Sequence, residues 1–181
     1  MTGPPHRRAR HPDGRMTTPQ AQAGPRMTLP QPPAAAGHYQ AVIIRNGLGF
    51  VAGQLPFQDG RLVHPGRLGA ELSFEEARQA AVISAVNVLA QIEQALGTWT
   101  RFGGLLRIDG YVASAEGRID QAAVLDSASE FFVEQLGALG QHTRAAIVVP
   151  RLPLDASVEL VATFAVHGGA ELPPTTMKLE E

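Results

Sequence analysis

Two helix patterns of similar length, flanked by strand patterns, place the strongest limit on how this chain can fold. The first helix is predicted from Ser73, which can cap it, because Glu76 three residues later completes a capping box. The second is predicted to begin at a capping Asp120. Glycines at 97 and 137 end the two patterns. Apolar residues recur at helical spacing in each pattern: Val82, Val86, Leu89, Ile92 and Leu96, then Val124, Ala128, Phe131 and Leu136.

The strand patterns surround these helices. Within residues 39–56, two apolar runs are separated by Asn46-Gly47, a pair typical of a tight hairpin because both turn positions need positive φ. Further strand patterns occur within residues 102–114, 143–149 and 157–166. The order β-β-(β)-α-β-α-β-β predicts an α+β fold with two helices on one face of a mixed sheet. The other face would be uncovered, which predicts self-association.

Composition divides the chain into one domain and two tails. Residues 1–37 hold eight of the fourteen prolines and five arginines but no aromatic residue. Such a segment buries too little surface to offset its ordering entropy, so we expect a disordered tail. The domain is predicted over residues 38–168, and residues 169–181 are expected to form a loose tail.

Several classes of function are disfavoured by what the sequence lacks. The absence of cysteine excludes disulfides, thiolate zinc sites and a cysteine nucleophile. None of the six histidines forms an HxH or HxxxH pair, so neither a metal nor a cofactor is expected. No apolar run approaches the ~18 residues of a membrane span, and a cytoplasmic location is expected. Residues 38–181 carry a formal charge of −6, which argues against a nucleic-acid partner.

Two charged residues stand out in the final strand patterns. Arg144 lies at the start of one apolar strand and Glu159 inside the next. Burying such charges is costly unless they are paired or half exposed. Each could be a surface residue of its strand. Alternatively, the turn at residues 150–155 returns the chain so that both lie at one cleft, where a guanidinium binds a carboxylate and a carboxylate activates water.

Other motifs have simpler interpretations. The stretch GLGFVAG at residues 47–53 is followed by a strand pattern rather than a helix, which favours a hairpin over a phosphate-binding loop. No GxSxG elbow is present, and sequence alone places no serine beside a histidine. His142 is notable because it lies two residues from Arg144.

The stretches FVAGQLP (residues 50–56) and HTRAAIVVPRLPLDASVELVATFAV (residues 142–166) resemble the Rid/YjgF family, also called the L-PSP endoribonuclease family. The resemblance runs from about residue 37 to residue 167. It implies a chorismate mutase-like two-layer sandwich and a homotrimer with ligand clefts between subunits. It also implies hydrolysis of reactive 2-imino acids to 2-keto acids and ammonia, without a cofactor.

The resemblance also implies roles for individual residues. Arg144 would bind the substrate carboxylate and Glu159 would orient the attacking water. Gly53, Tyr39 and Ala146 would line the pocket. Differences from the family pattern are Ala52 in place of a serine, Ala146 in place of a cysteine, and Leu125 or Asp126 where deaminases have asparagine.

Three functions are therefore compared. An imine deaminase acting on a small carboxylate-bearing metabolite is the first, and a non-catalytic metabolite-binding or regulatory module is the second. An endoribonuclease is the third, and the acidic domain disfavours it.

Overall fold

The computed structural model of the protein describes residues 24–117 and 120–168. These residues form two α-helices and seven β-strands, with short 3₁₀ turns between some of them. In chain order they are β1 (Val42–Arg45), β2 (Leu48–Gln54), β3 (Phe57–Gln58), β4 (Arg61–Leu62), α1 (Phe74–Leu96), β5 (Phe102–Ala113), α2 (Gln121–Leu136), β6 (Thr143–Val149) and β7 (Val158–Val166).

Local signals in the sequence set most of these boundaries. Asn46 and Gly47 both have positive φ, 50° and 75°, and join β1 to β2 in the predicted hairpin. The Ser73 capping box starts α1, and Gly97 ends it in the left-handed conformation. At the start of α2 the structure differs from the prediction. Asp120 occupies the cap position, but its side chain makes no capping hydrogen bond.

Five strands form one mixed sheet in the order β1-β2-β7-β5-β6. The β5–β6 pair is parallel and is connected through α2, whereas the other pairs are antiparallel. Strands β3 and β4 form a separate small hairpin. The predicted α+β class is confirmed, with β7 at the centre of the sheet and β6 at one edge.

Both helices pack on the same face of the sheet, and this layer contains the core. Along β7, alternate residues from Val158 to Val166 are buried beneath the helices, and the residues between them are part-exposed. On the opposite face, Ile43 and Phe50 are cross-strand neighbours that remain 41% and 46% exposed. One face of the sheet is therefore covered by helices and the other carries exposed apolar side chains.

Residues 24–37 differ from the disordered tail that composition predicts, because they lie against the domain. The Gln91 side chain donates a hydrogen bond to the Pro33 carbonyl (2.7 Å), and Met27 N donates to Gln135 Oε1 (3.1 Å). Leu29 packs against the core. A proline-rich segment forms few backbone hydrogen bonds of its own, so its carbonyl groups are free to accept hydrogen bonds from buried amide side chains. Residues 1–23 of the predicted tail and residues 169–181 lie outside the described residues.

Candidate functional site

Arg144 lies on the edge strand β6 and extends its guanidinium to α2. Its Nη2 atom forms an ion pair with Asp126 Oδ1 (2.8 Å) and also donates to the Ala122 carbonyl (3.3 Å). Its Nη1 atom donates to Ser129 Oγ (2.9 Å). Three acceptors on one helix thus satisfy a side chain that is only 22% exposed, which explains how this apolar strand tolerates the charge.

Ser129 also contacts an imidazole. His142 Nε2 lies 3.1 Å from Ser129 Oγ, and His142 Nδ1 lies 2.7 Å from the Gly140 carbonyl oxygen. Because a carbonyl can only accept, the hydrogen bonding assigns the proton to Nδ1 and leaves Nε2 to accept from the serine hydroxyl. Burial lowers the pKa of His142, and the positive charge of Arg144 adds to this effect. The imidazole is therefore neutral at physiological pH.

Glu159 lies on the central strand β7, on the face that the helices leave uncovered. It is a cross-strand neighbour of Tyr111 on β5, and its side chain packs against Gly53 on β2. A Cβ atom at position 53 would overlap Glu159 Oε1, so this close approach requires glycine. The register between β2 and β7 shifts next to Gly53, as expected for a bulge.

The surroundings of Glu159 make its ionised form less favourable than that of an exposed glutamate. Burial raises the pKa of the Glu159 carboxyl above its usual range. The carboxyl has no ion pair or hydrogen bond to a residue in the ranges 24–117 and 120–168. A half-buried carboxyl whose pKa is raised by burial is a candidate for proton exchange with a bound molecule.

Arg144 and Glu159 are not brought together within one chain. Arg144 is level with Ile108, and Glu159 with Tyr111 three residues further along β5, so the two side chains lie on opposite faces. The register separates them by about 10 Å along the strands and about 10 Å across two strand spacings. The expectation of a shared cleft within one chain is therefore wrong, because the parallel β5–β6 register directs Arg144 towards α2.

The remaining predicted site residues divide between the same two regions. Ala146 is level with Gly110, on the same face as Arg144, and packs against the core. Tyr39 is half exposed just before β1. Together with Gly53, Tyr39 borders a cavity of about 870 Å³ beneath residues 27–36. Gly53 thus contacts Glu159 and also lines the cavity that Tyr39 borders.

The side of the cavity formed by α1 has two apolar residues, Ile83 and Val86, and two buried amides, Asn87 and Gln91. Asn87 donates from Nδ2 to the carbonyls of Leu55 and Phe57, and Gln91 contacts Gln54. The Asn87 bonds join α1 to the start of the small β3–β4 hairpin, and the Gln91 bond joins α1 to the end of β2. Asp59 is the one ionisable carboxyl among the described residues that line the cavity, and no lysine or arginine lines it.

Two contacts of Arg144 were missed by the sequence analysis. Asp126 and Ser129 are three residues apart, so they share a face of α2, and this signal was available in the sequence. Their partner is on another element, however, and only the tertiary structure identifies it. In the described part of the chain, no three histidine, aspartate or glutamate side chains group closely enough to hold a metal ion.

Comparison with known proteins shows the family to which the chain belongs. The family described as YjgF/chorismate mutase-like endoribonuclease matches residues 21–167. The chain belongs to this family. It is similar to protein TCP17 of Trypanosoma cruzi, with 33% identity over 77% of this chain and 88% of that protein. The resemblance inferred from the sequence is therefore confirmed.

Solved structures show the same chorismate mutase-like fold. The protein Atu1372 from Agrobacterium tumefaciens has a TM-score of 0.73 and 34% identity, covering 78% of this chain and 87% of that one. A Shewanella oneidensis protein described as an endoribonuclease has a TM-score of 0.74 and 29% identity, covering 77% and 92%. None of the helices within the described ranges is both long and apolar enough to span a membrane.

Proposed function

We propose that this YjgF-family protein binds a small carboxylate-bearing metabolite at the interfaces of a homotrimer and hydrolyses reactive 2-imino acids. The observation that carries the proposal is Glu159, a half-buried carboxyl that packs against Gly53 on the uncovered face, has a raised pKa, and forms no ion pair or hydrogen bond with a described residue. Such a group can accept a proton from an attacking water.

The uncovered sheet face supports assembly. Exposed Ile43, Leu48 and Phe50 form an apolar surface that a second copy would remove from water. Because Arg144 and Glu159 lie on opposite faces of one chain, each complete site would combine Arg144 from one copy with Glu159 from the next.

The reaction needs little catalytic power. Water adds to the imine carbon while Glu159 accepts one of its protons, and the carbinolamine then loses ammonia to give the 2-keto acid. Arg144 would bind the substrate carboxylate and hold the imine carbon near the water. Positioning together with acid–base catalysis, about 10²–10⁴-fold for the latter, would suffice for such reactive compounds.

A non-catalytic metabolite-binding module is the second candidate, and the ion pair between Asp126 and Arg144 favours it. The Asp126 carboxylate occupies part of the guanidinium to which a ligand carboxylate would bind. Ala146 adds no polar group nearby. RNA cleavage is the least favoured function because residues 38–181 are acidic.

Calorimetric titration with 2-keto acids tests the carboxylate site. Arg144→Lys keeps the charge but loses the planar fork, so affinity should fall about tenfold to hundredfold, or roughly 1.5–3 kcal/mol. Arg107→Lys is the matched control, since Arg107 is paired with Asp109 on the other face. If Arg144→Lys binds as tightly as the parent protein, the proposed carboxylate contact is wrong.

Asp126→Asn tests whether the internal carboxylate competes with the ligand. Asp126 is 57% exposed, and an exposed pair contributes about 0.2–1 kcal/mol. Affinity for 2-keto acids should therefore rise up to about fivefold. Ammonia release from freshly generated imino acids then separates the two candidates. A parent protein that binds 2-keto acids without accelerating this release is a binding module.

A further inference from the structure

Ser129 and His142 form a cluster that the proposed imine hydrolysis does not use. Within residues 24–117 and 120–168, Ser129 is the one serine whose hydroxyl is hydrogen-bonded to an imidazole, at 3.1 Å. The imidazole is oriented from its other nitrogen by the Gly140 carbonyl at 2.7 Å, and its ring packs edge-on against Phe132. A hydroxyl beside a base that a third group orients is the arrangement of an activated nucleophile.

Arg144 completes the cluster on the side of the hydroxyl oxygen. Its Nη1 atom donates to Ser129 Oγ at 2.9 Å, which stabilises negative charge on that oxygen. The same guanidinium can donate to a second oxygen that develops charge next to Ser129. Burial keeps His142 neutral, and only a neutral imidazole can accept the serine proton. Ser129, His142 and Arg144 are all part-exposed, so a small molecule can reach them.

We propose that Ser129 is a nucleophile, with His142 as its base, and that it takes acyl groups from small carboxylic esters. Asp126, exposed beside Arg144, disfavours an anionic alcohol portion, so the substrates would be neutral or cationic esters. This activity is independent of Glu159, which lies on the other face of the sheet.

The chemistry proceeds in two stages. Ser129 Oγ bonds to the ester carbonyl carbon while its proton moves to His142 Nε2, and the electron pair of the C=O bond moves to the oxygen near Arg144. The bond to the alcohol oxygen then breaks, and the alcohol takes the proton from His142. Water attacks the acylated Ser129 in the same way, which releases the carboxylic acid and restores the hydroxyl.

An alkyl fluorophosphonate tests the proposal on the full chain. The reagent bonds to an activated serine with loss of fluoride, and intact-mass measurement followed by peptide mapping identifies the residue. We expect one adduct per chain on Ser129 and none with Ser129→Ala. Ser127→Ala is the matched control, because Ser127 lies on the same helix as Ser129. Its hydroxyl accepts a hydrogen bond from Arg78 Nε of α1 (2.8 Å) and forms no hydrogen bond to a described histidine. The Ser127→Ala protein should label like the parent.

His142→Gln separates catalysis from structure. A glutamine amide can still accept a hydrogen bond from Ser129 but cannot take its proton, so labelling should slow about 10²–10⁴-fold while the melting temperature changes little. The Glu159→Gln protein should label at the parent rate. The proposal is overturned if the parent is not labelled at Ser129, or if His142→Gln labels as fast as the parent. The parent and the His142→Gln protein both keep Ser129. These two tests therefore remain valid even if Ser129→Ala fails to fold.

Discussion

The two faces of the sheet satisfy their charged residues in different ways. On the helix-covered face, the Arg144 guanidinium finds three acceptors on α2. On the uncovered face, Glu159 is half buried against Gly53, and no residue of the described ranges forms a hydrogen bond or ion pair with it. A single chain therefore supplies all three acceptors for Arg144, whereas a partner for Glu159 would have to come from a molecule that binds the uncovered face.

The largest expected effect concerns assembly, because the uncovered face should depend on other copies for its burial. Light scattering of the parent should give about three times the chain mass of 19.2 kDa. Phe50→Asp places a charge in the centre of the apolar surface and should yield a monomer. Val133→Asp is the control, since Val133 is similarly exposed (43%) on α2. A monomeric parent protein would contradict both the trimer and the site between copies.

An intermediate effect is expected at Gly53, where the Glu159 side chain packs against the backbone of β2. Gly53→Ala would force its new methyl group into the Glu159 carboxyl. Overpacking of this kind costs about 1–3 kcal/mol of unfolding free energy, which denaturant titration can measure. The double variant Gly53→Ala/Glu159→Ala removes the obstacle, so its loss should be smaller than that of the two single variants added together. Additive losses would show that Glu159 moves aside freely.

The smallest effect is a pH dependence that only the uncovered face should show. Because the pKa of Glu159 is raised in the folded state, its protonated form favours folding below the unfolded pKa, and this stability is lost as pH rises through the folded pKa. Glu159→Gln should therefore melt above the parent at pH 8, and the difference should close near pH 4. Asp126→Asn, which likewise removes a charge without changing the side-chain length, provides the comparison on the covered side. An equal melting temperature for Glu159→Gln and the parent at pH 8 would mean that burial does not penalise the charge.

Much of the fold could be predicted because its signals are local. Asn46-Gly47 specifies a hairpin through positive φ at both positions, and Ser73 with Glu76 specifies where α1 starts. Two helix patterns of similar length predicted a sheet with only one face covered by helices. The hairpin and the start of α1 depend on residues within four positions of one another.

The arrangement of the site could not be predicted in the same way. Whether Arg144 faces α2 or the open face depends on its register with Ile108, which lies 36 residues earlier in the chain. A shift of one residue in this register would place Arg144 on the opposite face of the sheet. Likewise, the proline-rich composition of residues 1–37 predicts disorder and does not indicate that Gln91, 58 residues from Pro33, binds the Pro33 carbonyl. In both cases the deciding interaction joins elements that sequence patterns treat separately.

The position of β7 has a consequence for the order of events during synthesis. β7 is the central strand of the sheet, yet it follows every other described strand along the chain. Val51 of β2 leaves the ribosome roughly 110 residues before its partner Ala162, a delay of about 5–20 s at typical elongation rates. The edge of β2 stays unpaired for that time and the facing edge of β5 for about half of it, because Ile108 also pairs with Ala162, which exposes nascent chains to aggregation. Gly53 and Glu159 are therefore among the last parts of the molecule to meet.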